Sequence, residues 1–551
     1  MRYPVSVLVK IHSKLFFWIS YLRHLPLIND YRNHNSNNFT HSKYSSKSPV
    51  ILMELNNMHS SHIAYAYLGN LLAQKHGGQI KAHAQASFIN SRQRLKFKLK
   101  SILGLAEFGV YKSFGVNEFI ELRTNKFQRA RARNMYEDVI DRLHNNREIE
   151  DLHLNGVWVG DLFYDSFLMT HKLPTINISS SVFRKFLLKS IELFVFWDDY
   201  FAKNDVRAIN VSHCVYNLAI PLRIAVMKGI EAYQASLTHI YRLNSDNLFA
   251  YSKEFSSFRE QFSALPLDVR DQGTSLAKLR IKRRFEGEVG VDMLYSTKSA
   301  YGATRHNRLL RPSRRKKILI ATHCFYDSPH AFGKNIFPDF YEWIEFLGEI
   351  SELTDYDWYI KTHPDYLPGT KDIIDKFVLR FPKFTLLPSD SSHHQIVSEG
   401  IDVALTCYGT IGFEYAALGI MVINASQNNQ HIAYNFNLHA RDVTHYREML
   451  INLNRLELII DPIEIYEYYF MRYIFNTDDL FFKNYNQTIL EIGGYYKQFT
   501  PLIYKSWLAE WSDESHRGIN NALKDFINSG DYRMNSFNYG ADVLAVLRGF
   551  R

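Results

Sequence analysis

The feature that most constrains this chain is a repeated pattern: a short apolar run ends in a polar turn, and helical spacing follows. It is clearest at Trp358-Tyr359-Ile360, which leads into Lys361-Thr362-His363-Pro364-Asp365. It recurs at Val403-Ala404-Leu405, which leads into Thr406-Cys407-Tyr408-Gly409-Thr410-Ile411-Gly412-Phe413-Glu414. Buried strands alternating with helices predict an α/β chain with parallel sheets covered on both faces. In such sheets ligands bind where strand ends meet turns, so two of these ends share one cleft.

The second turn carries the more specific chemistry. Gly409 and Gly412 let the backbone approach a ligand closely. Thr410 is placed to cap the following helix, whose unpaired N–H groups and positive dipole end suit a phosphate. The competing reading is a plain tight turn between strand and helix. Glu414 follows Thr410 by four residues, one more than a capping box needs, which leaves it to reach a ribose hydroxyl. His363 can donate to a phosphate oxygen or protonate a leaving group, and Pro364 biases it away from helix. Lys361 adds positive charge. A lone histidine after a strand is also common as a structural residue, and it is the combination of the two turns that favours a site.

Lys361-Thr362-His363-Pro364, then Thr406 through Tyr415 and Leu418-Gly419-Ile420, resemble the C-terminal half of bacterial capsule and surface-polysaccharide glycosyltransferases of the GT-B type. They are similar in particular to the capsular β-Kdo transferase group. More distantly they resemble the GT-B sialyltransferases, which share a His-Pro motif and a later hydroxyl-bearing turn holding the nucleotide of a CMP-sugar. The resemblance covers about a quarter of the chain, and a His-Pro pair also occurs in unrelated glycerophosphotransferases of wall polymers. It implies two Rossmann-like domains facing across a cleft, with the nucleotide-sugar donor on the C-terminal one and the acceptor on the other. His363 would then assist the departing phosphate, with Lys361, Gly409, Thr410, Gly412 and Glu414 around the nucleotide.

The bulk properties agree with such a chain. Its 551 residues allow two core-bearing domains, and 46% hydrophobic with 15% aromatic residues is a globular composition. A net charge of +9 favours acidic partners: nucleotide phosphates, an anionic polymer or an anionic membrane surface. No nucleic-acid reader motif is present. Cys214, Cys324 and Cys407 are scattered without CxxC spacing, which predicts a reducing compartment and no structural zinc site.

In chain order, residues 1–48 read as an amphipathic segment followed, from Asn33 to Ser48, by a flexible linker. Neither apolar run near the start is long enough to span a bilayer. Residues 49–300 read as an N-terminal Rossmann-like acceptor domain. Its first turn offers Glu54, Asn57 and His59 to the cleft. Arg92, Arg94, Lys96, Lys98 and Lys100 alternate with other residues and form either a solvated basic face or a patch for an anionic polymer or lipid headgroups.

Gly160-Asp161-Leu162-Phe163-Tyr164-Asp165 is a strand end delivering an acidic residue to a helix start, where the dipole keeps it ionised. By resemblance to the same surface-carbohydrate group, Asp161 is the expected general base or nucleophile, against an N-capping role. Asp165 shares its helix face. His213, Tyr216 and Arg223 follow another strand and are further cleft candidates.

Residues 301–316 read as a basic linker, and residues 317–454 as the C-terminal Rossmann-like nucleotide-sugar domain. The turn His323 to His330 brings His323 and Asp327 as acceptor or nucleotide contacts; its two histidines and aspartate lack metal-ligand spacing. Ser392 and His393 are weaker candidates near the base. Residues 455–551 are mostly helical and aromatic, and family analogy takes part of them back onto the first domain.

The expected function is a glycosyltransferase of surface-polysaccharide or glycolipid synthesis, moving a hexosyl or ulosonosyl unit. A CMP-activated acidic sugar such as Kdo is the first choice of donor. No Asp-x-Asp stands out as a metal motif, and no cofactor is expected beyond the nucleotide-sugar substrate. A nucleotide-sugar 2-epimerase and a non-catalytic assembly scaffold are the alternatives. The expected location is cytoplasmic, with peripheral contact at the cytoplasmic face of the inner membrane as an extension of that reading.

Overall fold

In the computed structural model, residues 22–39, 47–83, 87–302, 307–362 and 369–534 are described. His363, Pro364 and Asp365 lie outside them, so the catalytic expectation for His363 has no structural account.

Two sheets organise the chain. The first contains β1 (Val50–Glu54), β2 (Gln79–His83) and β3 (Val116–Ile120). A small hairpin of β4 (His153–Leu154) and β5 (Val157–Trp158) stands apart from it. The sheet continues with β6 (Val206–Val211), β7 (Glu231–Ala235) and β8 (Ile240–Leu243). The second sheet holds β9 (Lys317–Ala321), β10 (Asp357–Lys361), β11 (Phe384–Leu386), β12 (Val403–Thr406), β13 (Met421–Asn424) and β14 (Leu438–His439). The last strand, β15 (Arg533–Met534), returns to the first sheet and pairs antiparallel with β8.

The strand orders are those of doubly wound folds. The first sheet runs β15-β8-β7-β6-β1-β2-β3, parallel from β7 to β3; the second runs β11-β10-β9-β12-β13-β14 and is parallel throughout. Each order reverses once, between β1 and β6 and between β9 and β12. A parallel strand covered on both faces has no solvated side, which is why β9 (KILIA), β10 (DWYIK) and β12 (VALT) read as apolar runs and are almost wholly buried. The architecture is therefore two Rossmann-like units with a helical C-terminal segment.

That segment ties the ends together. The helix Asp513–Asn528 packs on the helix His59–His76, and His62 Nδ1 lies 2.6 Å from the Tyr504 hydroxyl. Tyr504 also stacks on Tyr31 with ring centroids 4.0 Å apart. Tyr31 belongs to a helix over residues 22–38, which corrects the expected linker: Asn33 to Asn38 are helical, and buried Asn35 donates to Ser113 Oγ at 3.1 Å. Polar composition misled there because Tyr31 and Asn35 find partners from distant sequence. Among the described residues no helix is long and apolar enough to cross a membrane.

A second contact holds the two units face to face. Buried His330, from the loop after β9, brings Nδ1 within 2.6 Å of Asp165 Oδ1 and Nε2 within 3.2 Å of Glu150 Oε1, all three side chains being fully enclosed. Burial alone would lower the His330 pKa, but Asp165 and Glu150 overcome it and hold the imidazolium well above the usual histidine range. Around this clasp Arg147 donates to the Asn335 and Ile336 carbonyls, Asn146 to Glu342, and Tyr164 to Asp339.

Candidate functional site

The two reversal points of the sheets open onto one another, and each is lined by the turns after its strands. On the second sheet a cavity of about 170 Å³ is bounded by Ala321, Thr322 and His323 after β9, Lys361 and Thr362 after β10, and Thr406, Gly409 and Thr410 after β12. This brings together four of the expected nucleotide contacts, Lys361, Gly409, Thr410 and Glu414, and adds His323. Much of the remaining wall was not foreseen: Arg284, Ser296 and residues 298–301, which sequence spacing placed in the first domain and the linker, close the cavity.

Lys361 is buried, and its Nζ donates to the Ser389 carbonyl at 3.2 Å. Loss of solvation pushes the ammonium down to about 8, against the pull of Glu414 and Asp390. Thr406 Oγ1 accepts from Gly409 N–H at 3.1 Å and lies 3.1 Å from His323 Nε2, so a threonine at the end of β12 organises the turn. His323 stacks on Phe340 with centroids 4.5 Å apart, and its Nε2 accepts from Cys407 N–H at 3.3 Å. A Cβ at Gly409 would come 2.8 Å from Thr406 Oγ1, so the glycine permits this close turn.

Three expectations at this turn need correction. Thr410 makes no side-chain cap, and the helix it precedes, Ile411–Ala417, is only seven residues long, so its dipole is small. Gly412 serves packing rather than a ligand, since a Cβ there would meet His431 at 2.3 Å. Glu414 is not free for a ribose: it accepts from Arg284 Nη2 at 2.5 Å and from the Tyr301 hydroxyl at 2.9 Å. Its pairing fixes the linker wall against the helix. His393 also lines this cavity, with Nδ1 2.7 Å from the Tyr415 hydroxyl, and Ser392 precedes it without capping its helix.

Facing it, a larger cavity of about 600 Å³ is lined by Met58, Ser60 and Ser61 after β1, by Ser212 and His213 after β6, and by His323, Gly409 and Thr410. The last three are common to both cavities, which makes the two parts of one cleft. Buried Glu54, at the end of β1, accepts from both the backbone N–H of Ser212 (2.6 Å) and its hydroxyl (2.7 Å). Ser212 Oγ in turn lies 2.8 Å from His213 Nδ1. With its proton committed to Glu54, Ser212 Oγ is left to accept from His213 Nδ1–H, which turns the Nε2 edge of an exposed imidazole to the cleft.

The deeper wall comes from the C-terminal segment. Arg472 sits among Tyr251, Phe255 and Tyr473, 5.4 to 5.8 Å from the ring centroids, and its buried Nε has no hydrogen-bond partner. Arg280 pairs with Asp292 and Arg533 with Glu254, while Asp478 is pushed up to about 6 by burial. Sequence reading missed Arg472 and Asp478 because nothing local marks a helix that returns from the far end of the chain.

The acidic candidates of the first domain go elsewhere. Asp161, 1% exposed, is bound by Arg223 through both guanidinium ends at 2.5 and 3.2 Å, and lines neither cavity. Arg223 itself lies over the edge-to-face pair Trp158 and Phe249, 4.9 Å from each ring. This corrects the expected base: a carboxylate closed in such a pair offers no oxygen to a substrate. Asp165 belongs to the His330 clasp. Asp327 accepts from Tyr216 at 2.7 Å across the domain junction, outside both cavities. Asn57 is exposed and outside them also, and His59 Nδ1 lies 2.7 Å from the Phe499 carbonyl.

The single Asp-x-Asp triplet, Asp355-Tyr356-Asp357, lies at the opposite end of β10 from Lys361, where Arg315 bridges both carboxylates. Among the described residues no group of three or more His, Cys, Asp or Glu is placed to hold a metal ion.

No protein-family profile matches the sequence, and no curated protein matches it. Solved structures similar in fold include KpsC, a β-Kdo 2,4 transferase of Thermosulfurimonas dismutans, at 11% identity and TM-score 0.30, covering 48% of this chain and 79% of that one. A UDP-GlcNAc 2-epimerase from Neisseria meningitidis is similar at 11% identity and TM-score 0.21, covering 77% and 97%. A glycosyltransferase from Rickettsia africae matches at 11% identity and TM-score 0.22, covering 84% and 100%.

Proposed function

We propose that this chain is a nucleotide-sugar-dependent glycosyltransferase that adds a sugar to a growing surface polysaccharide or glycolipid. The observation that carries it is the pair of sites meeting at His323, Gly409 and Thr410. One has the Lys361 cation beside a close glycine turn for a nucleotide phosphate; the other is large enough for a saccharide and holds a histidine oriented by Ser212 and Glu54.

In this reading the phosphates lie against Lys361 and the Gly409-Thr410 backbone. The acceptor hydroxyl lies against His213. As the acceptor oxygen attacks the anomeric carbon, its proton passes to His213 Nε2. The bond from that carbon to phosphate breaks, and the electron pair leaves on a phosphate oxygen beside the Lys361 ammonium. A single displacement of this kind inverts the anomeric configuration. Glu54, through Ser212, holds the imidazole in the accepting tautomer and stabilises it once charged. His363, two residues beyond Lys361, retains the role its resemblance implies, as a donor to the departing phosphate.

For the donor sugar, the resemblance of Lys361–Pro364 and Thr406–Tyr415 points to a CMP-activated acidic sugar such as Kdo. Arg472 supports an acidic saccharide, because it lines the cleft and forms no ion pair among the described residues, its acidic neighbour Glu254 being bound by Arg533.

The test is a thermal-shift screen against CMP, UDP, GDP and CDP, repeated on Lys361→Ala and His363→Ala. One nucleotide raising the melting point, with the rise lost in both variants, is expected. Silence from all four would remove the nucleotide site. Release of a 2-epimer of the sugar nucleotide with no acceptor present would replace transfer by epimerisation.

A further inference from the structure

The basic stretch Arg92 to Lys100 belongs to neither site. It forms the helix Ser91–Leu103, opened by an Asn90–Gln93 capping box and closed by Gly104 in the left-handed conformation. Only Phe97 is buried, packing edge-on against Phe108 at 5.2 Å. Leu95, Leu99, Ile102 and Leu103 are 60%, 48%, 73% and 64% exposed.

At about 100° per residue these four occupy one arc of roughly 100°, and Phe97 stands on the opposite side of the helix. The helix is therefore pinned by its one buried ring with an aliphatic stripe turned outward. Lys98 borders the stripe on one side and Lys96 on the other, Arg92 falls within its arc in the first turn, and all three are exposed. Three of the cations are partly engaged by the protein itself: Arg94 pairs with Glu121 at 2.5 Å, Lys98 with the same carboxylate at 3.9 Å, and Lys100 with Glu107 at 3.3 Å. Among the described residues Arg92 and Lys96 have no ion pair.

A soluble anionic polymer would use the cations and leave the leucines in water. A second copy of the helix would cover the leucines but set like charges against each other. An anionic bilayer satisfies both features, since aliphatic side chains enter the acyl boundary while flanking lysine and arginine reach the headgroups. We propose that the helix Ser91–Leu103 docks this protein in the interfacial plane of an anionic lipid membrane, independently of the sugar it transfers.

The test is co-sedimentation of the full chain with phosphatidylcholine vesicles, with and without phosphatidylglycerol, at low and high salt. Binding is expected to the phosphatidylglycerol vesicles only and to weaken with salt. Leu95→Glu/Leu99→Glu, both at exposed positions, should keep the melting temperature and lose about tenfold or more in vesicle affinity. Lys96→Ala/Lys98→Ala should lose less and flatten the salt dependence. No binding to either vesicle, or binding unchanged in the leucine variant, overturns the proposal. A dimer in solution that the leucine variant splits assigns the stripe to a second copy and also overturns it.

Discussion

At the ends of β9, β10 and β12 the cleft is lined by Lys361 and by a threonine-organised turn; at the ends of β1 and β6 it is lined by a histidine backed by a buried carboxylate. Both are the reversal point of a doubly wound sheet, and the same topology has been given opposite chemistry. The second sheet presents positive charge directly. The first hides its charge, Glu54, one hydroxyl behind the group that meets solvent. A phosphate must be met by charge, whereas a hydroxyl proton is best taken by a group that is neutral until it accepts it.

That division can be broken at its strongest point first. His213→Ala should lower kcat by about 10² to 10⁴ while leaving nucleotide affinity unchanged, measured by turnover and calorimetric titration on the same protein. A matching loss of nucleotide affinity would dissolve the division. Lys361→Ala should do the reverse, weakening the nucleotide by about ten- to a hundredfold, the range of a charge-assisted hydrogen bond.

The smallest effect is the most diagnostic. Because burial holds Lys361 near 8, it is charged below that pH and neutral above it. Nucleotide affinity should therefore fall between pH 7 and pH 9, by less than about tenfold per unit, and Lys361→Arg should flatten the fall. A wild-type profile already flat over that window would take Lys361 out of the phosphate contact.

The clasp gives a separate stability signal. His330 carries a raised pKa in the folded state, so its contribution is full below about 6.5, the ordinary histidine value, and is lost as pH rises through the folded value. His330→Ala leaves Asp165 buried without its cation, while Glu150 keeps Arg147, and should cost about 3–5 kcal/mol of unfolding free energy at neutral pH, measured by denaturant titration.

How much of this was legible in the sequence depended on whether the partner was local. Parallel strands announce themselves as apolar runs, so β10, β12 and their turns were readable, and Lys361, Gly409 and Thr410 meet as expected. Asp161 and Asp165 were misread because a carboxylate in a first helical turn looks the same whether it faces a cleft or a distant cation. Arg223 is 62 residues beyond Asp161, and His330 is 165 beyond Asp165. Glu414 was claimed by Arg284, 130 residues before it. His213 was readable as a residue type after a strand, but its orientation depends on Glu54, 158 residues before Ser212.

The return of β15 to the first sheet has a consequence for synthesis. That sheet is begun by Val50 and completed by Met534, with all of the second sheet made in between. On the ribosome the half built on the second sheet can close on itself early, whereas the first half waits with the β8 edge unpaired and the helix His59–His76 uncovered until the last helices emerge. The unit begun first is thus the last to be finished, and during that interval its open edge is the part of the nascent chain most exposed to mispairing.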